Sequence, residues 1–309
     1  MKILLLDAFA FGDSDLSVFN KLGEFKAYEQ TLPEETIANV GDSDVIITNK
    51  VFIGKATMAA NPKLKLICIA ATGKNNVDLV AAEAAGILVK NVSGYSTESV
   101  AQSTIAMLLS LVQKTRYYDN YTQSKSWCDS PTFTHIAQPF DELKGKRWGI
   151  IGYGAIGQRV GEIAQVFGCK LCYHSTSGKN SQQAIEQLDL VTLLSTCDII
   201  SIHAPLNEQT ENLIDAVALK QLKKGAFILN LGRGGIIDEE AMAEALDQYD
   251  FYHGTDVLAV EPMIKNHPYF SIKDKSRLLI TPHTAWASTQ ARALLIQKIM
   301  ANIKSTDLS

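Results

Sequence analysis

Residues 148–167 constrain the fold of this chain more than any other stretch. A short apolar run, Trp148-Gly-Ile-Ile151, enters a glycine-spaced turn, Gly152-Tyr-Gly154-Ala-Ile-Gly157, and a helical pattern of apolar positions follows at Val160, Ile163, Ala164 and Phe167. Glycine triplets arise by chance, so the spacing alone says little; its position between a strand and a helix gives it meaning. Gly152 permits a tight turn, Gly154 lets a ligand approach the backbone, and Gly157 allows the helix to pack close on the strand. The open N–H groups of the helix start then suit a phosphate. The stretch reads as a dinucleotide-binding βαβ turn.

A βαβα rhythm surrounds this turn. Before it, strand candidates Lys2–Leu6, Phe25–Tyr28, Val45–Thr48, Leu66–Ala70 and Leu88–Lys90 alternate with helical segments Leu16–Leu22, Pro33–Val40, Gly54–Ala60 and Val77–Ala85. Residues Thr97–Thr115 read as a long helix, apolar on most sides and therefore buried. After the turn come strands Lys170–Tyr173, Ile199–His203, Phe227–Asn230, Tyr252–Asp256 and Leu278–Thr281, with helices Gln182–Glu186, Leu213–Leu222, Glu239–Leu246 and Ser288–Ile303. The pattern predicts an α/β protein of two Rossmann-like domains with parallel sheets. The cofactor domain (100–286) is inserted within a discontinuous substrate domain (1–99 and 287–309). Residues 116–147 break the rhythm with Tyr117, Tyr118, Tyr121, Trp127, Phe133, His135 and Phe140, and read as a dimerisation segment of a homodimer.

Composition excludes other classes. The 309 residues carry a net charge of -4, with 46% apolar residues, which gives no reason to expect nucleic acid or a membrane surface as a partner. No apolar run approaches a membrane span, and Met1–Asp7 lacks a small-residue cleavage site and turns acidic early, so it reads as a first buried strand. Five scattered cysteines suit a reducing, cytoplasmic compartment rather than a disulfide framework. Cys169-Lys-Leu-Cys172 has metal or redox spacing, but on a strand its side chains face opposite ways; no metal site is expected.

The chemistry-bearing residues fall at strand ends. The strand after the turn runs into His174-Ser175-Thr176-Ser177-Gly178-Lys179, where a carboxylate for the ribose 2′-hydroxyl is expected. Ser175, Thr176 and Lys179 could bind a 2′-phosphate, and Ser175 could bond a ribose hydroxyl, so NAD and NADP both stay open. Ala204 and Pro205 could wall the cofactor, with His203 in a supporting role. Arg233, among glycines after Leu231 and Gly232, can grip a carboxylate in two bonds and polarise the carbonyl beside it. Glu261 precedes Pro262 in apolar surroundings, so its carboxylate is expected partly buried and partnered. His283 follows Pro282; an imidazole beside a carboxylate keeps one tautomer and can serve as a general acid. A nucleotide site with a guanidinium, a carboxylate and an imidazole downstream is the equipment for reducing a 2-oxo acid.

The chain resembles the D-isomer-specific 2-hydroxyacid dehydrogenase family from end to end. The matching strings are Ala71-Thr72-Gly73, Gly152–Gly157, His203-Ala-Pro205-Leu, Leu231-Gly-Arg233-Gly and Asp256-Val followed by Glu261-Pro262. Thr48-Asn49-Lys50, Ala70–Asp78, Val92–Thr97 and Thr281–Ser288 look most like its glycerate dehydrogenase (hydroxypyruvate reductase) branch. The resemblance implies that Arg233 binds the substrate carboxylate and carbonyl while Glu261 and His283 form the acid/base pair. It implies substrate contacts at Lys50, Thr72, Gly73 and Lys74. It also implies cofactor contacts at Thr104, the Ala155 and Ile156 amides, Leu231, Asp256 and Ala285, with Asp256 near the nicotinamide amide. Ser175 departs from the acid of NAD-specific members, and Lys74 from a frequent aromatic. Hydroxypyruvate or glyoxylate is the expected substrate. The rival readings are a dehydrogenase of another small acid (lactate, phosphite, phosphoglycerate) and a dinucleotide-sensing corepressor or scaffold.

Overall fold

The computed structural model describes residues 1–178 and 184–307, in two units, Met1–Ser96 with the chain from Ala287 onward, and Thr97–Trp286. Each unit carries its own parallel sheet.

In the first unit, strands β1 (Lys2–Leu5), β2 (Glu24–Ala27), β3 (Val45–Thr48), β4 (Leu66–Ile69) and β5 (Leu88–Asn91) pair in the order β2-β1-β3-β4-β5. Every residue of β3 and β4 is buried, as expected of central parallel strands covered on both faces. The edge strand β2 is largely exposed and β5 half-buried, and they carry Glu24, Lys26 and Lys90, charges that discourage further strand pairing. Short helices α1 (Thr36–Val40), α2 (Lys55–Ala60) and α3 (Leu79–Ala84) connect them. The stretch read as helix at Leu16–Leu22 is a 3-10 turn over Ser17–Lys21, and Pro33–Glu35 is another that leads into α1.

The second unit opens with the buried helix α4 (Thr97–Val112) and then α5 (Thr115–Gln123). Helix α5 falls within the segment that breaks the βαβα rhythm; none of its residues is fully buried, and its sheltered face is made of Tyr117, Tyr118 and Tyr121. Strands β6 (Arg147–Ile151), β7 (Lys170–His174) and β8 (Glu186–Gln187) flank helices α6 (Ala155–Val166) and α7 (Leu190–Thr196). Next come β9 (Ile199–Ile202), α8 (Ala216–Leu219), β10 (Ala226–Asn230), α9 (Glu239–Gln248), β11 (Phe251–Thr255) and β12 (Leu278–Ile280). Their order is β12-β11-β10-β9-β6-β7-β8. The chain reverses direction across the sheet between β6 and β9, the switch point at whose carboxyl edge ligands of open α/β sheets collect.

Two expectations fail here. Glu186 pairs as strand with Cys172 rather than closing a helix, and residues 182 and 183 lie outside the described residues. The Leu213–Leu222 helix shrinks to the single turn of α8, where the Asp215 carboxylate accepts the N–H groups of Val217 and Ala218. The Cys169–Cys172 spacing marks no site: Cys169 lies against the Leu143 carbonyl, while the Cys172 sulfur sits 3.3 Å from that of Cys197. Among the described residues no cluster of His, Cys, Asp or Glu is placed to hold a metal, and no helix is long and apolar enough to cross a membrane.

After β12 the chain returns to the first unit and ends in helix α10 (Thr289–Lys304), capped by the Ser288 hydroxyl. Arg292 donates to the Phe11 carbonyl at 2.6 Å and to Asp13 at 2.7 Å; Lys298 reaches the Ser93 carbonyl and Asn302 that of Asn91. These bonds tie the last helix to both ends of the first sheet.

Candidate active site

The glycine turn is built for a close-lying ligand. Gly152 has φ +89°, a left-handed conformation that L side chains rarely adopt, and a Cβ there would lie 2.6 Å from the Ala204 amide nitrogen. A Cβ on Gly157 would run into the Gly152 carbonyl, so α6 packs against the strand only because both positions are glycine. Above Gly154 the space is open, with nothing within 4 Å of its would-be Cβ. Helix α6 starts at Ala155 and directs the N–H groups of Ala155 and Ile156 to that opening. The cradle fits a dinucleotide pyrophosphate. Ser175 and Thr176 follow β7, half-buried, and the described chain shows no carboxylate until Glu186; Lys179 lies outside the described residues. Ala204 is buried under Gly152 and Pro205 is exposed.

Two expected cofactor contacts, Thr104 and Asp256, also make hydrogen bonds within the chain. Thr104 is fully buried within α4, and its hydroxyl donates to the Val100 carbonyl one turn back at 2.8 Å. Asp256, 2% exposed, spends its carboxylate inside the chain: Oδ1 accepts from the Thr281 hydroxyl (2.5 Å) and the Thr284 amide (2.9 Å), Oδ2 from the Ala285 amide (2.9 Å). Burial raises its pKa, against the lowering effect of these bonds. Its carbonyl also accepts the His283 N–H, so Asp256 holds the whole Thr281–Ala285 loop. Leu231 is buried, and Gly232 lies against the Ala204 carbonyl, which a Cβ would approach to 2.8 Å. His203 is pushed down to about 3 by burial, and neither of its ring nitrogens has a hydrogen-bond partner among the described residues.

Arg233, Glu261 and His283 follow β10, β11 and β12, three adjacent parallel strands, and so emerge at one edge of the sheet. His283 Nδ1 donates to Glu261 Oε2 at 2.7 Å, which fixes the tautomer and leaves Nε2 for chemistry. The imidazole backbone has φ +54°, a strained setting for a side chain, held by the Asp256 and Thr281 carbonyls. Glu261 Oε1 accepts the Leu258 N–H at 3.0 Å, so the carboxylate braces its own turn while facing the imidazole. Its side chain is 31% exposed and that of His283 26%; the expected partial burial and partner are both present. Arg233 is half-buried; its Nη1 donates to the Gly232 carbonyl at 2.8 Å, and no carboxylate pairs with it among the described residues. Asn230 secures that turn by donating to the Arg233 carbonyl and accepting from the Gly232 amide.

In the first unit, Lys50 and Thr72-Gly73-Lys74 follow β3 and β4 at the carboxyl edge of that sheet. Among the described residues no hydrogen bond engages the amides of Thr72, Gly73 and Lys74, which leaves three successive donors open. The sequence reading missed what shapes these loops. The Asp7 carboxylate accepts the N–H groups of Asn49 (2.8 Å) and Lys50 (2.7 Å), and Asn49 donates to the Ala70 carbonyl (2.7 Å). Asp7 stands two residues after β1, at the carboxyl end of a strand, a position that could have flagged it.

The family model of the D-isomer specific 2-hydroxyacid dehydrogenase NAD binding domain matches residues 105–285. The chain is 34% identical to a glycerate dehydrogenase of Methylorubrum extorquens, over 98% of this chain and 95% of the relative. It is also 34% identical to a hydroxypyruvate reductase of Blautia hydrogenotrophica, over 98% and 96%. The solved structure of an acyclic imino acid reductase in complex with NADPH and D-Arg superposes with a TM-score of 0.87 at 29% identity, covering 99% of this chain and 96% of that one. The chain thus belongs to the D-isomer-specific 2-hydroxyacid dehydrogenase family, NAD(P)-dependent oxidoreductases that act on the CH–OH group of 2-hydroxy acids.

Proposed function

We propose that this dehydrogenase reduces hydroxypyruvate to D-glycerate, with glyoxylate as a lesser substrate, and that Arg233, Glu261 and His283 carry the reaction. The observation that bears most weight is the His283–Glu261 pair at 2.7 Å on the sheet edge where the Arg233 turn also emerges. Gly152, Gly154, Gly157, Ala155, Ile156, Ser175, Ala204, Pro205, Leu231, Gly232 and Ala285 would hold the dinucleotide. Bound there, the dihydronicotinamide would supply the hydride, two electrons with one hydrogen, that C2 of the oxo acid takes up. Arg233 binds the substrate carboxylate and meets negative charge building on the carbonyl oxygen. His283 Nε2 gives that oxygen its proton, and Glu261 keeps the ring aimed. A fixed donor of this kind contributes about 2–4 kcal/mol to a transition state. In the oxidative direction neutral His283 accepts the proton.

In the first unit, Lys50 and the open amides of Thr72, Gly73 and Lys74 are the substrate contacts of this reading. No carboxylate follows β7 to repel a 2′-phosphate, so NADPH is accepted alongside NADH. Trp127, Phe133, Ile136 and Phe140 are exposed, Phe133 at 89%, and a second copy of the chain covers them in a homodimer. Substrate choice rests on the two relatives named for glycerate and hydroxypyruvate. Nicotinamide absorbance followed with hydroxypyruvate, glyoxylate, pyruvate and 3-phosphohydroxypyruvate, each with NADH and NADPH, tests the assignment. A higher kcat/KM for pyruvate than for hydroxypyruvate would overturn it.

A further inference from the structure

A second histidine–glutamate pair stands behind the first. His267 Nδ1 accepts the Tyr269 N–H at 3.2 Å, which places the ring's proton on Nε2, and Nε2 donates to Glu239 Oε2 at 2.9 Å. The pair is sheltered, with side chains 3% and 15% exposed. The other oxygen, Glu239 Oε1, accepts the Ala259 N–H at 2.7 Å. That N–H belongs to the Leu258–Ala259 peptide, and the same peptide is where the active-site turns meet. Gly234, next to Arg233, lies flat against it, so closely that a Cβ would collide with the Leu258 carbonyl. The preceding N–H, of Leu258, is the one held by Glu261 Oε1.

We infer that Glu239 and His267 are positioning residues that fix the Leu258–Ala259 peptide, and through it set the Arg233 turn against the Glu261–His283 pair. The physical reason is economy of freedom. Glu261 braces Leu258 from one side and Gly234 covers the peptide face, and among the described residues Glu239 is the hydrogen-bond acceptor that holds the peptide's own N–H. His267 in turn fixes Glu239, because a carboxylate held at both oxygens cannot turn to solvent. Neither residue touches the reacting atoms. Without them the peptide turns, and the guanidinium and imidazole lose their common setting. This rests on the acid/base reading of His283 and deepens it.

The test compares Glu239→Gln, Glu239→Ala, His267→Ala and His267→Gln in the full chain with hydroxypyruvate and NADPH. A glutamine at 239 has one oxygen for two donors and so breaks one bond without emptying the space. Expected are a 5- to 20-fold loss of kcat with Glu239→Gln, a roughly 10- to 100-fold loss with either alanine, and a higher KM for the oxo acid. Dissociation constants for NADPH, from fluorescence titration, stay within twofold of the wild type. His267→Gln, whose amide can donate to Glu239, recovers most of the loss. Folded variants of Glu239→Gln and His267→Ala with wild-type kcat and oxo-acid KM would overturn the inference, as would an equal loss of NADPH affinity. His283→Ala runs alongside: if it loses turnover while the others do not, only this inference fails. If it retains turnover, the acid/base reading fails with it.

Discussion

Replacing His203 with leucine and following stability against pH tests the burial of this unit's histidines directly. Burial pushes the imidazole of His203 down to about 3 and that of His253 to about 4, from an ordinary value of 6.5. His253 donates from Nδ1 to the Ile228 carbonyl and faces the Tyr269 hydroxyl, while His203 has no partner at either nitrogen among the described residues. Part of His203 reaches the surface, yet both ring nitrogens are out of solvent contact. In the unfolded chain each ring takes a proton near 6.5; in the folded chain it stays neutral until far lower. The stability each contributes is therefore whole above 6.5 and is lost as pH falls from there toward 3 or 4. At pH 5, about 1.5 units below 6.5, the loss is about 2 kcal/mol per histidine. The wild type then loses about 4 kcal/mol between pH 7.5 and 5 from the two rings, and His203→Leu about half as much. At neutral pH the variant is expected to be as stable as the wild type or more so, since an unpartnered polar ring gives way to an apolar side chain. Trp127, Trp148 and Trp286 all lie in Thr97–Trp286, so tryptophan fluorescence in urea titrations reports on this unit. A leucine variant with the wild-type pH slope would refute the reasoning.

Other perturbations bear on the site itself. His283→Ala should lower kcat roughly 10²- to 10⁴-fold while NAD(P)H affinity, measured by fluorescence titration, is preserved. Arg233→Ala should both raise the oxo-acid KM and cut kcat by about 10²-fold in steady-state assays, since one group binds ground state and transition state. Gly152→Ala combines the +89° φ with the collision at Ala204, and should weaken dinucleotide binding at least about tenfold by calorimetry. Ser175→Asp puts a carboxylate where a 2′-phosphate would sit, and the NADPH-to-NADH ratio of kcat/KM should fall by more than about tenfold.

Much of this arrangement was legible in the sequence because parallel sheets deliver their strand ends to one edge. Gly152, Arg233, Glu261 and His283 each follow an apolar run, and the βαβ rhythm brings such positions together whatever their separation along the chain. Bonds between turns were not legible. Nothing in the string near Glu239 says that it receives the Ala259 amide, or that Asp256 is consumed by its own loop. Nor was the bond from the Thr104 hydroxyl to its own helix backbone legible, a choice invisible without coordinates. Helix α5 escaped because its sheltered face is three half-buried tyrosines, Tyr117, Tyr118 and Tyr121, in place of an aliphatic stripe. By contrast α7 carried a readable signal that went unused, the Asp189 cap accepting the Thr192 amide.

The return of α10 to the first unit has a consequence for how the protein comes into being. During translation the strands from Lys2 to Asn91 emerge before the nucleotide unit, yet the bonds from Arg292, Lys298 and Asn302 that fasten their sheet are made by residues synthesised after it. The nucleotide unit, unbroken from Thr97 to Trp286, has all its strands in hand while the older sheet still waits for its cover. Assembly at the ribosome thus runs against the usual N-terminal-first order, and the first unit is the one left exposed to chaperones and proteases until α10 has emerged.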